Sequence, residues 1–242
     1  MKQFRFLATV FVAAGTLSLG SCNSGTEEKK DDAKTDTSTM APAAPAANPS
    51  GPASIMIIRQ KVTNYAKWKM GYDGHDSTRL ASGLHSYVVA RGTEDSNMVL
   101  VAVKMDDVEK AKAFGASKEL KDRMKQLGVT AVPVVDFLES VMNDTTAIQS
   151  TVRVMVRHKV KDWDIWKKAF DSHMQTRMDA GLTDRVVAHS VGDNHSVTLV
   201  FAVSDMAKAK AFMNSDDLKT KMKEGGVEGA PDMFFYKVVQ KY

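Results

Sequence analysis

The chain has 242 residues, with 33 Lys and Arg against 29 Asp and Glu, and a single cysteine. One cysteine excludes a disulfide framework and any cysteine-built metal centre. The basic residues are interspersed with acidic ones rather than gathered in a block, so no nucleic-acid partner is expected.

Met1 to Ser21 reads as a targeting segment. Lys2 and Arg5 form a short basic region, and the apolar run over 6–19 is too short for a stable membrane span. The run ends in Leu19-Gly20-Ser21-Cys22, which resembles the lipobox of bacterial lipoproteins. The resemblance implies removal of residues 1–21, acylation of Cys22, and a lipid-anchored protein of the bacterial cell envelope. Each buried methylene of an acyl chain adds about 0.8 kcal/mol of membrane affinity, so two or three chains anchor durably. The alternative is an ordinary secretory signal with a cysteine nearby. Residues 22–52 carry the charged run Glu27 to Asp32 and then Ala, Pro, Ser and Thr, a composition that cannot offset its ordering entropy by burial. They are expected to form a tether. Its charged run resembles the acidic signals that send some lipoproteins to the outer membrane; a solvated spacer is the alternative.

The rest of the chain is an internal repeat. Lys61 to Leu84 recurs, 98 positions later, as Lys159 to Leu182, and the register holds without a gap to Asp144 and Tyr242. About a third of the aligned positions are identical, which marks one duplicated domain. The expected division is a first domain over 53–144, a linker over 145–151 and a second domain over 152–242.

Each half reads as strand, helix, strand, strand, helix, strand. Ile55 to Val62 and Val152 to Val160 are first strands. Asn64 and Asp162 are N-caps for one helix in each half, which Gly83 and Gly181 end. Hairpins follow over 87–104 and 185–203. Asp106-x-x-Glu109 suggests a capping box for the next helix, broken at Ser117 and Ser215 and continuing to Gly128 and Gly226. Pro133 and Pro231 are expected to precede the last strands, from Val134 and Met233. This order predicts an α+β fold of two tandem ferredoxin-like (βαββαβ) domains. The strands are apolar on both faces: Met56, Ile58 and Val62 against Ile55 and Ile57, and Val99, Val101 and Val103 against Leu100 and Ala102. A sheet covered on one side only would alternate apolar with polar. The two sheets are therefore expected to pack face to face as an internal pseudo-dimer, in a monomer or a weak homo-oligomer.

The pattern Lys-Val-x-Asp-Trp-x-x-Trp-x-x-x-Phe, then His, Arg and Ala-Gly-Leu, then Ala-Lys-Ala-Phe and Gly-Val-x-x-x-Pro, resembles the dimeric α+β barrel proteins. Among these it looks most like the antibiotic-biosynthesis-monooxygenase-like domains, over about 54–144 and 152–242. The resemblance implies the fold. It leaves activity open among cofactor-free quinol oxygenases, haem-degrading enzymes, isomerases and members with no known reaction. The His, Asn and Trp set of the haem-degrading relatives has no residue-by-residue match here, so no cofactor is expected.

Trp68, Tyr72, His75 and Arg79 are spaced by four, three and four, within about 60° of a helical arc, and Trp166, Phe170, His173 and Arg177 repeat the stripe. Aromatic members must face the sheet, which aims the His and Arg at it as well. His75 and His173 are the candidate catalytic residues, as acid, base or ligand, and the arginines could pair with a carboxylate or enolate. The bland alternative is helix capping and dipole compensation. His158 lies on the strand face of Val156 and Val160, toward His173, while its counterpart is Gln60; no carboxylate or cysteine completes a metal site. Lys69–Asp73 and Lys167–Asp171 read as solvated helix pairs. Two functions remain open: an anchored binding or stress-response module that holds a small hydrophobic or aromatic molecule between helix and sheet in each half, and a cofactor-independent monooxygenase or isomerase using a pocket His.

If Cys22 carries lipid, Cys22→Ala moves the protein from the membrane to the soluble fraction of fractionated cells. A variant that still partitions into detergent like the parent contradicts the lipobox reading.

Overall fold

The computed structural model describes residues 49–50 and 52–242. The expected signal segment, Cys22 and most of the tether lie outside the described residues. The tether's end contributes a short strand, β1 (Pro49–Ser50), paired with Asn143 and Asp144.

The first half runs β2 (Ser54–Lys61), α1 (Tyr65–Asp73), α2 (Asp76–Ala81), β3 (Leu84–Gly92), β4 (Met98–Met105), α3 (Val108–Ala116), α4 (Lys118–Gln126) and β5 (Val134–Asp144). The second repeats it as β6 (Val152–Val160), α5 (Trp163–Ser172), α6 (Met174–Asp179), β7 (Leu182–Ser190), β8 (Asp193–Val203), α7 (Met206–Met213), α8 (Asp216–Glu224) and β9 (Val227–Lys241). Within each half the strand order is that of a ferredoxin-like sheet, β5-β2-β4-β3 and β9-β6-β8-β7. The halves also join at both edges, β3 to β9 and β5 to β7, all antiparallel. The sheets thus face each other, as the two-sided apolar pattern requires, and their edges zip into one closed eight-stranded barrel.

Strand periodicity sorts the side chains into three cores. Ile55, Ile57, Leu100, Ala102 and Leu138 meet Met155, Ala188, Val200 and Tyr236 in the barrel interior. Met56, Val62, Val99, Val101 and Val103 point outward under the helices of the first half, and Val154, Val160, Val197, Leu199 and Phe201 do so in the second. Polar residues stand on the inward face too. Arg157 bonds both Asp136 (2.8 Å) and Asp232 (2.5 Å), and Arg59 bonds Asp232 at 2.8 Å. Burial pushes the Asp232 carboxyl up, but hydrogen bonds from Arg59 and Arg157 outweigh it and leave it below the usual carboxylate range.

Three local expectations need correction. The helix after each first strand is not continuous: α1 ends at Gly74, α5 at His173, and α2 and α6 start afresh with His75 and His173 at the N-cap in non-helical conformation. Arg79 Nη1 donates to the Tyr72 carbonyl at 2.6 Å and Arg177 Nη1 to the Phe170 carbonyl at 2.6 Å, each adding a side-chain donor to a carbonyl that also accepts from His75 N or His173 N. The cap of α3 is Asp107, accepting from Lys110 N, while Asp106 instead meets His85 Nε2 at 2.9 Å. Pro231 lies inside β9 rather than before it, at an irregularity between Arg157 and Lys159 where no ladder donor is needed. Asn64 and Asp162 cap as expected, the second helix of each half breaks as expected at Ser117 and Ser215, which cap α4 and α8, and Gly83 and Gly181 end α2 and α6 with φ of 69° and 74°.

Residues 53–144 expressed alone would expose the β3 and β5 edges together with Ile55, Ile57 and Leu100. They are expected to self-associate or precipitate, as read by light scattering; a soluble monomer would contradict closure through these edges.

Candidate functional site

Two spaces lie between helices and sheet, one in each half. In the first, Trp68 and Tyr72 stack at 5.2 Å, with Trp68 fully buried. The Arg79 guanidinium lies 3.7 Å from the Tyr72 ring centre and also bonds Asp76 at 2.9 Å. The Tyr72 hydroxyl meets Ser86 Oγ at 3.0 Å, and burial pushes the phenol's pKa up against that bond and the Arg79 charge. His75 sits beside Phe114, its Nε2 3.6 Å from Glu119.

In the second half, Trp166 and Phe170 stack at 5.2 Å, and the Arg177 guanidinium is 3.6 Å from the Phe170 ring centre. Phe170 has no hydroxyl and Asp184 stands where the first half has Ser86; Arg177 forks onto Asp184 at 2.9 and 2.6 Å. His173 is buried, with Nε2 2.8 Å from Asp217. His158 stands 5.7 Å from Trp166, and both its ring nitrogens are buried without a partner. Among the described residues no group of three or more His, Cys, Asp and Glu is placed to hold a metal ion.

Trp68, Tyr72, His75 and Arg79 therefore line one cavity, and His158, Trp166, Phe170, His173 and Arg177 another. Each arginine caps a helix carbonyl and also lines a cavity. The cavities differ in size: about 470 Å³ in the first half and about 80 Å³ in the second. The repeat shows why. Val103, Gly115 and Val135 line the first cavity where Phe201, Met213 and Met233 line the second. The helix contact differs as well. In the second half a Cβ on Gly225 would sit 3.3 Å from Ala169, so α5 and α8 approach closely. In the first half the pair is reversed, with Leu127 against Gly71 so tightly that a Cβ on Gly71 would fall 2.1 Å from it. Residues 130–133 also stay outside β5, leaving Val132 92% exposed at the rim, whereas their counterparts are part of β9.

Sequence reasoning missed part of the wall. Gln60 is buried and lines the first cavity with no donor for its Oε1, and Arg79 Nε and Arg123 Nε there are buried without acceptors. The available signal was the repeat itself, compared position by position for size and charge.

No protein-family model matches the sequence, and comparison with curated proteins gives no match. Solved structures do match. A candidate monooxygenase from Fusobacterium nucleatum superposes with a TM-score of 0.51 at 10% identity, covering 79% of this chain and 94% of its own. An anthrone oxidase-like protein superposes with a TM-score of 0.56 at 15% identity, covering 78% of this chain and 92% of its own. One half could not supply such coverage, so the likeness spans the tandem arrangement and establishes the fold.

Burial lowers the pKa of His158 to about 4. An unfolded histidine titrates near 6.5, so His158 binds fewer protons folded than unfolded. Its stabilising neutral state is intact above about pH 6.5 and is lost as pH falls to about 4, for a total of about 3 kcal/mol. His158→Gln, the residue at position 60, should flatten that part of the acid dependence of stability in chemical denaturation. Parallel curves for parent and variant would contradict it.

Proposed function

We propose that the protein binds one small molecule with a hydrophobic or aromatic body in the first-half cavity, that the second half serves as its filled structural partner, and that acylated Cys22 holds the chain at an envelope membrane. The observation that carries the binding reading is the contrast of about 470 Å³ with about 80 Å³ on one repeated framework. The larger falls within the range of roughly 300–1,000 Å³ usual for ligand sites, while the smaller has room for a few waters. Trp68 and Tyr72 supply aromatic faces, and Gln60 and Arg79 supply buried polar atoms that a ligand would satisfy. Among the described residues no helix is long and apolar enough to cross a membrane; the anchoring reading rests on Leu19-Gly20-Ser21-Cys22 alone.

A second reading is a cofactor-independent oxygenase or isomerase with His75 as general base. It is favoured by the candidate monooxygenase and the anthrone oxidase-like protein among the matching structures, and by the place of His75 on the cavity wall.

Gly115→Met tests the binding reading, because a Cβ at Gly115 meets nothing within 4 Å and Met is the residue at the matching position 213. The variant should fold at least as stably, since glycine inside a helix costs about 0.5–1 kcal/mol relative to a better helix former. Its affinity for the uncharged fluorophore N-phenyl-1-naphthylamine should fall tenfold or more. Unchanged affinity in a folded Gly115→Met would refute the site. Dioxygen uptake with an anthrone, abolished by His75→Gln, would replace binding with the oxygenase reading.

A further inference from the structure

The cavity's cations differ between the halves in a way that size does not explain. In the first half Lys121 and Arg123 of α4 line the cavity, and among the described residues neither side chain forms an ion pair or a hydrogen bond. Arg123 Nε is buried with no acceptor. The matching residues of the second half, Lys219 and Lys221, are both neutralised, by Asp216 at 2.8 Å and Glu224 at 2.7 Å. Where the second half has those two acids, the first has Lys118 and Gln126. The neighbouring first-half acids are engaged elsewhere: Glu119 faces His75, and Asp122 bonds Lys118 at 2.6 Å. Positive charge has thus been left unpaired on the wall of the large cavity, whereas Lys221, the lysine on the wall of the small one, is paired with Glu224.

A cation beside an apolar cavity, with one nitrogen already out of water, is a costly arrangement unless an anion completes it. Deeper in the same cavity lie aromatic and aliphatic side chains, with Gln60 Oε1 and Arg79 Nε as isolated polar points. We infer that the first-half cavity takes an amphipathic anion: an apolar body lies against Trp68 and Tyr72, and a carboxylate, sulfonate or enolate head meets Arg123 and Lys121. This deepens the binding reading and rests on it. Arg123 provides the planar fork suited to a carboxylate, and Lys121 a mobile point charge.

Two dyes with the same aromatic body separate head from body: N-phenyl-1-naphthylamine is neutral, and 8-anilinonaphthalene-1-sulfonate is its anionic relative. The Lys121→Gln/Arg123→Gln double variant of the full chain should bind the sulfonate about tenfold more weakly, the scale of a lost charge-assisted hydrogen bond. It should hold the neutral dye within about twofold. Lys219→Gln/Lys221→Gln, which removes equal charge from the second half, should leave both affinities unchanged. In displacement of the sulfonate dye, decanoate should outcompete decanol and 1-naphthoate should outcompete 1-naphthalenemethanol, the stronger acid showing whether the body is alkyl or aromatic. Three results would overturn the inference: sulfonate affinity unmoved by the first-half variant, equal loss in the second-half variant, or alcohols as effective as acids. Each leaves the neutral dye's response to Gly115→Met intact, and it is that response whose absence would remove the cavity reading itself.

Discussion

The structure depends on backbone hydrogen bonds at the sheet edges. A four-stranded sheet has two outer strands with unpaired N–H and C=O groups, and a ferredoxin-like unit also leaves one sheet face without helices. Here β3 meets β9 and β5 meets β7, so four edges disappear in two junctions. All four strands involved carry irregularities in register at or near them, between Ser86 and Val88 in β3, Ser140 and Met142 in β5, Asp184 and Val186 in β7, and Val238 and Gln240 in β9. Such bulges raise local twist and help a sheet curl closed. Closure then fixes where a small molecule can go. The interior is filled by Ile55, Leu100, Leu138, Met155 and Tyr236, so both cavities are pushed outside the barrel, between its outer face and the helices.

The broken helix is the second determinant of the site. A continuous helix would bury its own carbonyls and leave Arg79 and Arg177 to snorkel outward. The interruption turns each arginine back onto the carbonyl of Tyr72 or Phe170 and flat against that residue's ring. Stacking and bonding together leave the guanidinium little conformational freedom. The two halves then differ in the carboxylate that shares the charge, Asp76 in one and Asp184 in the other.

Much of this was legible in the sequence, for physical reasons that differ by level. Strand faces could be read because Val99, Val101 and Val103 alternate with Leu100 and Ala102, and period two leaves no other arrangement. The stripe of Trp68, Tyr72, His75 and Arg79 could be read because a 4-3-4 spacing gathers side chains whether or not the helix is interrupted; for the same reason it could not reveal the interruption. Edge closure was not legible, since the groups that make it are main-chain atoms carried by every residue. Nor was cavity size, which depends on packing between elements distant in sequence, such as Leu127 against Gly71. Nor were the unpaired cations, since acids stand near Lys121 and Arg123 along α4 but point to other partners.

Joining the halves in one chain has a consequence for how such a site can change. In a barrel assembled from two identical subunits, every substitution appears twice, and a residue that plugs one cavity plugs its twin. Phe201, Met213 and Met233 occur once each, as do Asp216 and Glu224. The covalent link breaks that symmetry at no cost to the shared interior, which still needs matched apolar faces from both sides. One copy can therefore be filled by its own side chains while the other keeps its cavity and its charge. On the proposed reading such a chain offers one site where a barrel of two identical halves would offer two.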